Sequence, residues 1–134
     1  MDTLEQTKGG LAPPSFFRAR YGNFLNGTFQ EPVAGRYFDN VSPVTGQPFC
    51  EIARSDAADV ELALDAAHAA KAAWGRTSAA ERAAVLNAIA QRMEENLDRL
   101  AMAETWDNGK PIRESTAADV PLAIDHFRYF AACI

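Results

Sequence analysis

The chain has 134 residues, of which 48% are hydrophobic and 23% are charged, a composition typical of one globular domain. Its formal net charge of -5 argues against a nucleic-acid-binding protein, because contact with phosphates needs a basic surface patch. The first ten residues include acids and lack an apolar core, and no apolar run approaches the roughly 20 residues of a membrane span. We therefore expect a soluble, cytoplasmic protein that binds neither nucleic acid nor a membrane.

Strand signals occupy the first part of the chain. Residues 1–20 are polar and then rich in Gly and Pro, which predicts a flexible N-terminal tail. Asn26-Gly27 then lies between apolar β-formers and predicts a tight hairpin, because both turn positions need a positive φ. Further strands are predicted from Arg36 to Phe38 and from Phe49 to Ala53.

Helix signals follow. The first helix is predicted to begin near Ser55 or Asp56, and Gly75 stands at the position of a C-terminal cap. Ser78 and Glu81 have the spacing of a capping box and predict the start of a second helix. The predicted buried face of that second helix consists of Val85, Leu86, Ile89 and Met93.

A third, short helix and a final apolar helix complete the pattern. Asn96 is placed to cap the third helix, which should stop before Asn108-Gly109. Pro111 and Pro121 are expected to interrupt the chain before the final helix. The apolar residues of that helix are Leu122, Ile124, Phe127, Phe130, Ala131 and Ile134.

The end of the sequence carries no helix-stopping signal. Ile134 is apolar, and no Gly, Asn or polar cap follows it, so the final helix is predicted to be still running there. Strands come first and helices second, and helices of this kind need a sheet or further helices to cover their apolar stripes. Both features predict a chain cut from a longer protein.

Few side chains here are suited to catalysis. Cys50 and Cys133 lie in apolar runs and are predicted to be buried structural thiols. His68 and His126 have no suitably placed partner and are expected to be structural or surface residues. The glycines form neither G-x-G-x-x-G nor a P-loop, so no nucleotide site is predicted from this chain alone.

The segment from Trp106 to Pro111 permits two interpretations. In the first, Asn108-Gly109 ends a helix and Asp107 caps nearby N–H groups. In the second, the Asp107 carboxylate is held at the turn so that it binds a hard cation together with backbone carbonyls. The sequence by itself favours the turn and leaves the cation possible.

Several of these segments resemble the aldehyde dehydrogenase superfamily. They are Glu104 to Pro111 (ETWDNGKP), Asp125 to Cys133 (DHFRYFAAC), Asn26 to Phe29 (NGTF) and Ser42 to Gln47 (SPVTGQ), and their wording is most similar to bacterial acetaldehyde dehydrogenases. The resemblance implies an α/β fold. Residues 21–134 would form the amino-terminal part of a Rossmann-like cofactor domain, with short β strands followed by a helical layer, incomplete in this chain.

The resemblance also implies an activity for the parent protein. The whole enzyme would oxidise a short aliphatic, acetaldehyde-like aldehyde to the carboxylic acid with NAD(P), and would be a homo-oligomer, either a dimer or a tetramer. A cysteine nucleophile and a glutamate-activated water perform this chemistry in the family. Neither they nor the nucleotide-binding strands match any part of this sequence, so we expect no catalytic and no cofactor-binding residue here.

One family feature does map onto this chain. Many members hold a monovalent cation, potassium or sodium, through backbone carbonyls near the second strand and through the motif aspartate. The matching positions are Asn40, Val41 and Asp107. An alternative of another class is a truncated, non-enzymatic paralogue that binds a full-length partner subunit. The gene sequence downstream of Ile134 distinguishes the two, because the enzyme requires a frame that continues into a glycine-rich cofactor loop.

Overall fold

The computed structural model of the chain describes residues 6–7 and 10–134. It divides into two units, Met1–Ala72 and Ala73–Ile134, which we treat separately. Part of the predicted tail, residues 1–5, 8 and 9, lies outside the described residues. Among the helices that are described, none is long and apolar enough to cross a membrane.

The first unit contains the strands. They are β1 (Gln6–Thr7), β2 (Gly10–Leu11), β3 (Arg20–Tyr21), β4 (Asn23–Leu25), β5 (Thr28–Gln30), β6 (Tyr37–Val41) and β7 (Pro48–Ala53). β1 pairs with β2 and β4 with β5, both antiparallel. The third sheet has the order β3-β7-β6, in which β3 is parallel and β6 antiparallel to the central strand β7.

The predicted hairpin is confirmed. Leu25 pairs with Thr28, so the turn consists of two residues, and Asn26 and Gly27 have φ angles of 49° and 81°. Positive φ at both positions suits the right-handed twist of the flanking strands. Phe24 and Phe29 are cross-strand partners whose ring centroids lie 5.0 Å apart, edge to face.

Strands β6 and β7 confirm the two later strand predictions and extend them. Between them the backbone N–H of Gly46 donates to the Ser42 carbonyl at 2.7 Å, and Gly46 has a φ of 68°. The ladder register shifts between Asn40 and Val41, opposite which β7 carries one extra residue, Phe49, as a bulge. A bulge bends the strand and turns backbone groups out of the regular ladder.

The described residues just before β3 contact the strands that follow them. The Phe17 ring meets the Phe49 ring edge to face at 4.9 Å, and the Arg18 guanidinium lies 4.7 Å from the centre of the Phe29 ring. Arg20 pairs with Glu51 on the neighbouring strand, with 2.6 Å between Nη2 and Oε2. The flexibility assigned to residues 1–20 stays a prediction.

Helix α1 (Ala57–Trp74) begins where the sequence predicts. Asp56 caps it, because the Ala58 N–H donates to Asp56 Oδ1 at 3.0 Å. The apolar residues Val60, Leu64 and Trp74 of this helix are solvent-exposed. Its one buried side chain is instead a carboxylate, that of Asp59, which is only 4% exposed.

Asp59 connects three parts of the first unit. Its Oδ1 accepts hydrogen bonds from the Val33 N–H at 2.9 Å and from Asn23 Nδ2 at 3.1 Å, and its Oδ2 accepts one from the Asp56 N–H at 3.0 Å. The Asp56 and Val33 backbone donors hold the pKa of this carboxyl below its ordinary value. Asp59 thereby joins three segments to one another: the hairpin, the loop that leads to β6 and the start of α1.

The second unit is helical. It comprises α2 (Ala79–Glu95), α3 (Leu97–Asn108), α4 (Ile112–Glu114), a π-helical segment (Ser115–Asp119) and α5 (Val120–Ala132). The predicted capping box is confirmed. The Glu81 N–H donates to Ser78 Oγ at 3.2 Å, and the Ser78 N–H donates to Glu81 Oε2 at 2.7 Å.

The core of the second unit forms where α2 packs against α5. Its buried residues are Ala90, Ala101, Val120 and Ile124, with Met93, Leu97 and Phe127 packed around them. The predicted buried face of α2 is therefore partly wrong, since Val85 and Ile89 are 44% and 37% exposed. Alanine occupies the contact face and allows α5 to approach closely, so the larger side chains of α2 lie to one side.

The predicted breaks around α5 also need correction. Residues 112–132 are helical without interruption, although Pro121 lies among them. Pro121 is in the first turn of α5, directly after the π-helical segment, in which the Val120 N–H donates to the Ser115 carbonyl. The wider π turn accommodates a residue that has no N–H to donate. The helix also ends before Ile134: its last residue is Ala132, and the Cys133 N–H donates to the Phe130 carbonyl.

We predict that Gly22→Ala destabilises the hairpin. An alanine Cβ at this position would lie 2.3 Å from the backbone oxygen of Gln30, so one of the two backbones must move. The expected loss in free energy of unfolding is about 1–3 kcal/mol, measured by denaturant melts, together with faster amide hydrogen exchange at Phe24 and Phe29. Gly46→Ala is the matched control, because its Cβ meets nothing within 4 Å and only the φ of 68° is strained. The steric explanation is wrong if both variants accelerate exchange in the hairpin equally.

We also predict that Asp59→Asn makes the free energy of unfolding less sensitive to a fall in pH. The folded pKa of Asp59 lies below its ordinary value of 3.8, so its contribution is complete above that value and is lost as the pH falls through the folded pKa. The amide also turns a donor toward the Asp56 N–H, which lowers stability at neutral pH. In denaturant melts, the difference in free energy of unfolding between the wild type and the variant should become smaller as the pH falls from neutral to strongly acidic. Asp65→Asn, which makes the same substitution at an exposed position on the same helix, is the matched control.

Candidate functional site

The segment from Glu104 to Pro111 forms the end of α3 and the turn after it. Trp106 is buried, only 3% exposed, and fixes the last turn of the helix to the interior. Gly109 has a φ of 80°, and its N–H donates to the Thr105 carbonyl at 2.9 Å. The helix therefore ends in a left-handed glycine cap, which satisfies one of its terminal carbonyls. The turn predicted at Asn108-Gly109 is confirmed.

The side chain of Asn108 holds this turn closed. Its Oδ1 accepts a hydrogen bond from the Lys110 N–H at 2.8 Å, and its Nδ2 donates to Glu104 Oε1 at 3.4 Å. The first of these is a bond from an Asn side chain to backbone two residues later, the arrangement of an Asx turn. Pro111 follows with a φ of -57°, and its carbonyl accepts the Glu114 N–H at 2.9 Å as the next helical turn begins.

Lys110 links this turn to the π-helical segment. Its Nζ lies 2.5 Å from Asp119 Oδ2, and this contact raises the pKa of Lys110. Sequence reasoning missed the pair, because the two positions are nine residues apart and a regular helical spacing does not predict that they meet. Ser115, in the same segment, is fully buried, and its Oγ has no hydrogen-bond partner among the described residues. The π-helical segment departs from the regular α-helix on either side of it, and such segments often occur at functional sites.

The residues predicted to hold a cation fall on both units. Asn40 and Val41 lie on β6 opposite the bulge of β7, in the first unit. Asp107 is exposed in the last turn of α3, in the second unit. Among the described residues, no group of three or more His, Cys, Asp or Glu side chains could hold a metal ion. A site built from backbone carbonyls and one carboxylate, as predicted here, is of a different kind and stays a prediction.

The cysteines and histidines behave in part as predicted. Cys50 is buried in β7, as expected for a structural thiol. Cys133 is exposed after the end of α5, so its predicted burial is wrong, because the helix stops one residue before it. His68 and His126 are exposed on α1 and α5, in agreement with a surface role.

Comparisons with known proteins identify the fold and the family together. Residues 29–134 match the aldehyde dehydrogenase family. The chain is 64% identical over 132 residues to a probable aldehyde dehydrogenase of Mycobacterium tuberculosis, and 59% identical over 132 residues to the fluoroacetaldehyde dehydrogenase of Streptantibioticus cattleyicolor. Each match covers 98% of this chain and 26% of the relative, so the chain spans about a quarter of the length of these curated relatives.

A solved structure agrees with these sequence matches. The crystal structure of PnpE in complex with nicotinamide adenine dinucleotide superposes with a TM-score of 0.82 at 42% identity, over 84% of this chain and 23% of that one. The predicted fold class, short strands followed by a helical layer of an α/β cofactor domain, is thereby confirmed. The extent of the match, its identity and the shared fold together place this chain in the aldehyde dehydrogenase family.

Proposed function

We propose that the protein to which this chain belongs is an NAD(P)-dependent aldehyde dehydrogenase that oxidises a short aliphatic aldehyde to the carboxylic acid. Membership of the family, with residues 29–134 matched, is the observation that carries the proposal. The cofactor follows from the family chemistry, in which hydride leaves the substrate for a nicotinamide. PnpE, which shares the fold, was crystallised with nicotinamide adenine dinucleotide.

Within that enzyme these 134 residues serve as scaffold and do not carry out the reaction. A nucleophilic cysteine needs access to substrate and a depressed pKa from a neighbouring base or helix N-terminus. Cys50 is buried in a strand, and Cys133 follows the C-terminal end of a helix instead of standing at a helix N-terminus. Neither thiol has the surroundings of a nucleophile, and we propose that the chain alone is inactive.

The proposed substrate class rests on the relatives. The fluoroacetaldehyde dehydrogenase, 59% identical to this chain, acts by its name on a two-carbon aldehyde. The whole enzyme is proposed to be a cytoplasmic homo-oligomer, as in the family that the sequence resembles. A truncated paralogue that binds a full-length subunit is the rival proposal.

We predict that the 134-residue chain neither reduces NAD with acetaldehyde nor binds NAD tightly. The physical reason is that the chain lacks a glycine-rich turn at a helix N-terminus, where a pyrophosphate binds backbone N–H groups. Isothermal titration calorimetry with NAD and an absorbance assay for NADH test both parts. The matched control is the longer protein encoded by the same gene, which should be active in the same assay. Micromolar NAD affinity of the short chain would contradict the scaffold role, and a reading frame that stops directly after Ile134 would favour the truncated paralogue.

We further predict that Asp107→Ala in the whole enzyme lowers thermal stability more than it lowers the chemical rate. A cation that binds only the folded state stabilises it by an amount that grows with the logarithm of its concentration, about 1–3 kcal/mol at saturating salt. Capping by Asp107 would instead contribute about 1 kcal/mol, whatever cation is present. Thermal melts in potassium, sodium and a bulky organic cation at equal ionic strength distinguish cation binding from capping.

The control for this experiment is Asp98→Ala, which removes a carboxylate from the first turn of the same helix. Its effect on stability should be equal in all three salts. If the wild type gains nothing from potassium or sodium over the bulky cation, there is no stabilising cation at Asp107 and the residue acts only at the turn.

A further inference from the structure

The chain contains two Asn-Gly pairs in different structural settings. Asn26-Gly27 is the exposed two-residue turn of the β4–β5 hairpin, and Asn108-Gly109 is the C-terminal end of α3. An asparagine followed by glycine is the pair most open to attack by the next backbone nitrogen on the side-chain amide, because glycine offers no side chain to hinder the approach. The two settings should therefore decide which of the pairs reacts.

We propose that Asn26 is a site of spontaneous deamidation and isomerisation in the folded protein, and that Asn108 is protected from it. In the first step the Gly27 backbone nitrogen bonds to Cγ of Asn26, the Cγ–Nδ2 bond breaks, and Nδ2 leaves as ammonia with the proton from the Gly27 amide. The product is a five-membered succinimide. One water then opens either carbonyl–nitrogen bond of the ring, which gives aspartate or isoaspartate. Solvent water is the sole co-reactant.

Nothing among the described residues restrains the reacting groups of Asn26. The residue is exposed, and its side chain makes no hydrogen bond to any described residue. The Gly27 N–H likewise makes no hydrogen bond within the described part of the chain. The surrounding ladder has three residue pairs and only two strands, and two-stranded hairpins are marginal in water. Fraying of the tip is therefore enough to free the turn for ring closure.

Asn108 is also followed by glycine, but hydrogen bonds hold both the attacking nitrogen and the side-chain amide that it would attack. The attacking nitrogen, that of Gly109, donates its hydrogen to the Thr105 carbonyl at 2.9 Å. The amide to be attacked is bound through Oδ1 to the Lys110 N–H at 2.8 Å. Ring closure requires both bonds to break, and Lys110 is itself anchored by its ion pair with Asp119.

The product at residue 26 would alter the hairpin. Both products add a negative charge at the tip, and isoaspartate also passes the backbone through an extra methylene. The two-residue turn fixes the strand register, so a longer backbone path disfavours the pairing of Leu25 with Thr28. Asn23 of the same hairpin donates a hydrogen bond to the buried Asp59, so a disturbed hairpin would also weaken the hydrogen bonding of that carboxylate.

Ageing of the protein in water labelled with oxygen-18, at mildly alkaline pH, tests the proposal. Trypsin would place Asn26 in the peptide of residues 21–36 and Asn108 in that of residues 100–113, and fragmentation separates Asn26 from Asn23 in the first. In native buffer we expect label at Asn26 to appear at least roughly tenfold faster than at Asn108, because two hydrogen bonds protect the latter. In urea, where neither structure persists, the two rates should converge.

A second measurement uses Asn26→Gly, which removes the reactive amide and keeps a residue suited to a positive φ in the turn. The acidic species that accumulate in the aged wild type on ion exchange should be absent from this variant. The proposal is overturned if Asn108 is labelled as fast as Asn26 in native buffer, if Asn26 stays unlabelled there while reacting in urea, or if Asn26→Gly accumulates the same acidic species.

Discussion

Burying a carboxylate is costly unless hydrogen-bond donors replace the water that it loses, and Asp59 meets this requirement with three donors from three segments. Two of the donors are backbone N–H groups, which point to the carboxylate only when the loop at Val33 and the helix start at Asp56 have their native conformations. The third is the side chain of Asn23 on the hairpin. Few apolar side chains are buried among the described residues of the first unit, so its strands and the start of α1 depend on this polar anchor more than on apolar packing.

The second unit is organised by a different constraint, the close approach of α2 and α5. Ala90 and Ala101 have no exposed surface, and the small side chain at each position lets neighbouring backbones come near. Glu94 and Arg128, 2.6 Å apart, join the same two helices at the solvent edge. That pair is exposed and contributes little by itself, so the apolar contact determines the arrangement and the ion pair adds to its specificity.

Local signals predicted the elements well, and tertiary contacts explain where they failed. The Asn26-Gly27 hairpin and the Ser78–Glu81 capping box need only neighbouring residues, and both are confirmed. The face of α2 could not be predicted from periodicity, because the helix has apolar residues on two sides and the position of α5 selects the one with alanine. The π-helical segment was missed for a similar reason: Pro121 usually signals a break, and only the observed chain shows that a wider turn absorbs it. The aldehyde dehydrogenase resemblance came from whole motifs, whereas no property of single residues pointed to Asp59 or to the Lys110–Asp119 pair.

The segment from Glu104 to Pro111, one of those that resemble the family, is explained by the structure of the turn that it forms. Trp106 is buried, Asn108 closes the turn with its side chain, and Gly109 adopts the left-handed conformation that ends α3. Lys110 reaches Asp119, and Pro111 begins the following helical turn. Five of the eight residues of ETWDNGKP are thus required by the way one helix ends and the next begins. A motif of this kind identifies a family by its architecture, which explains how a chain that spans about a quarter of the length of its curated relatives can carry a clear family signature.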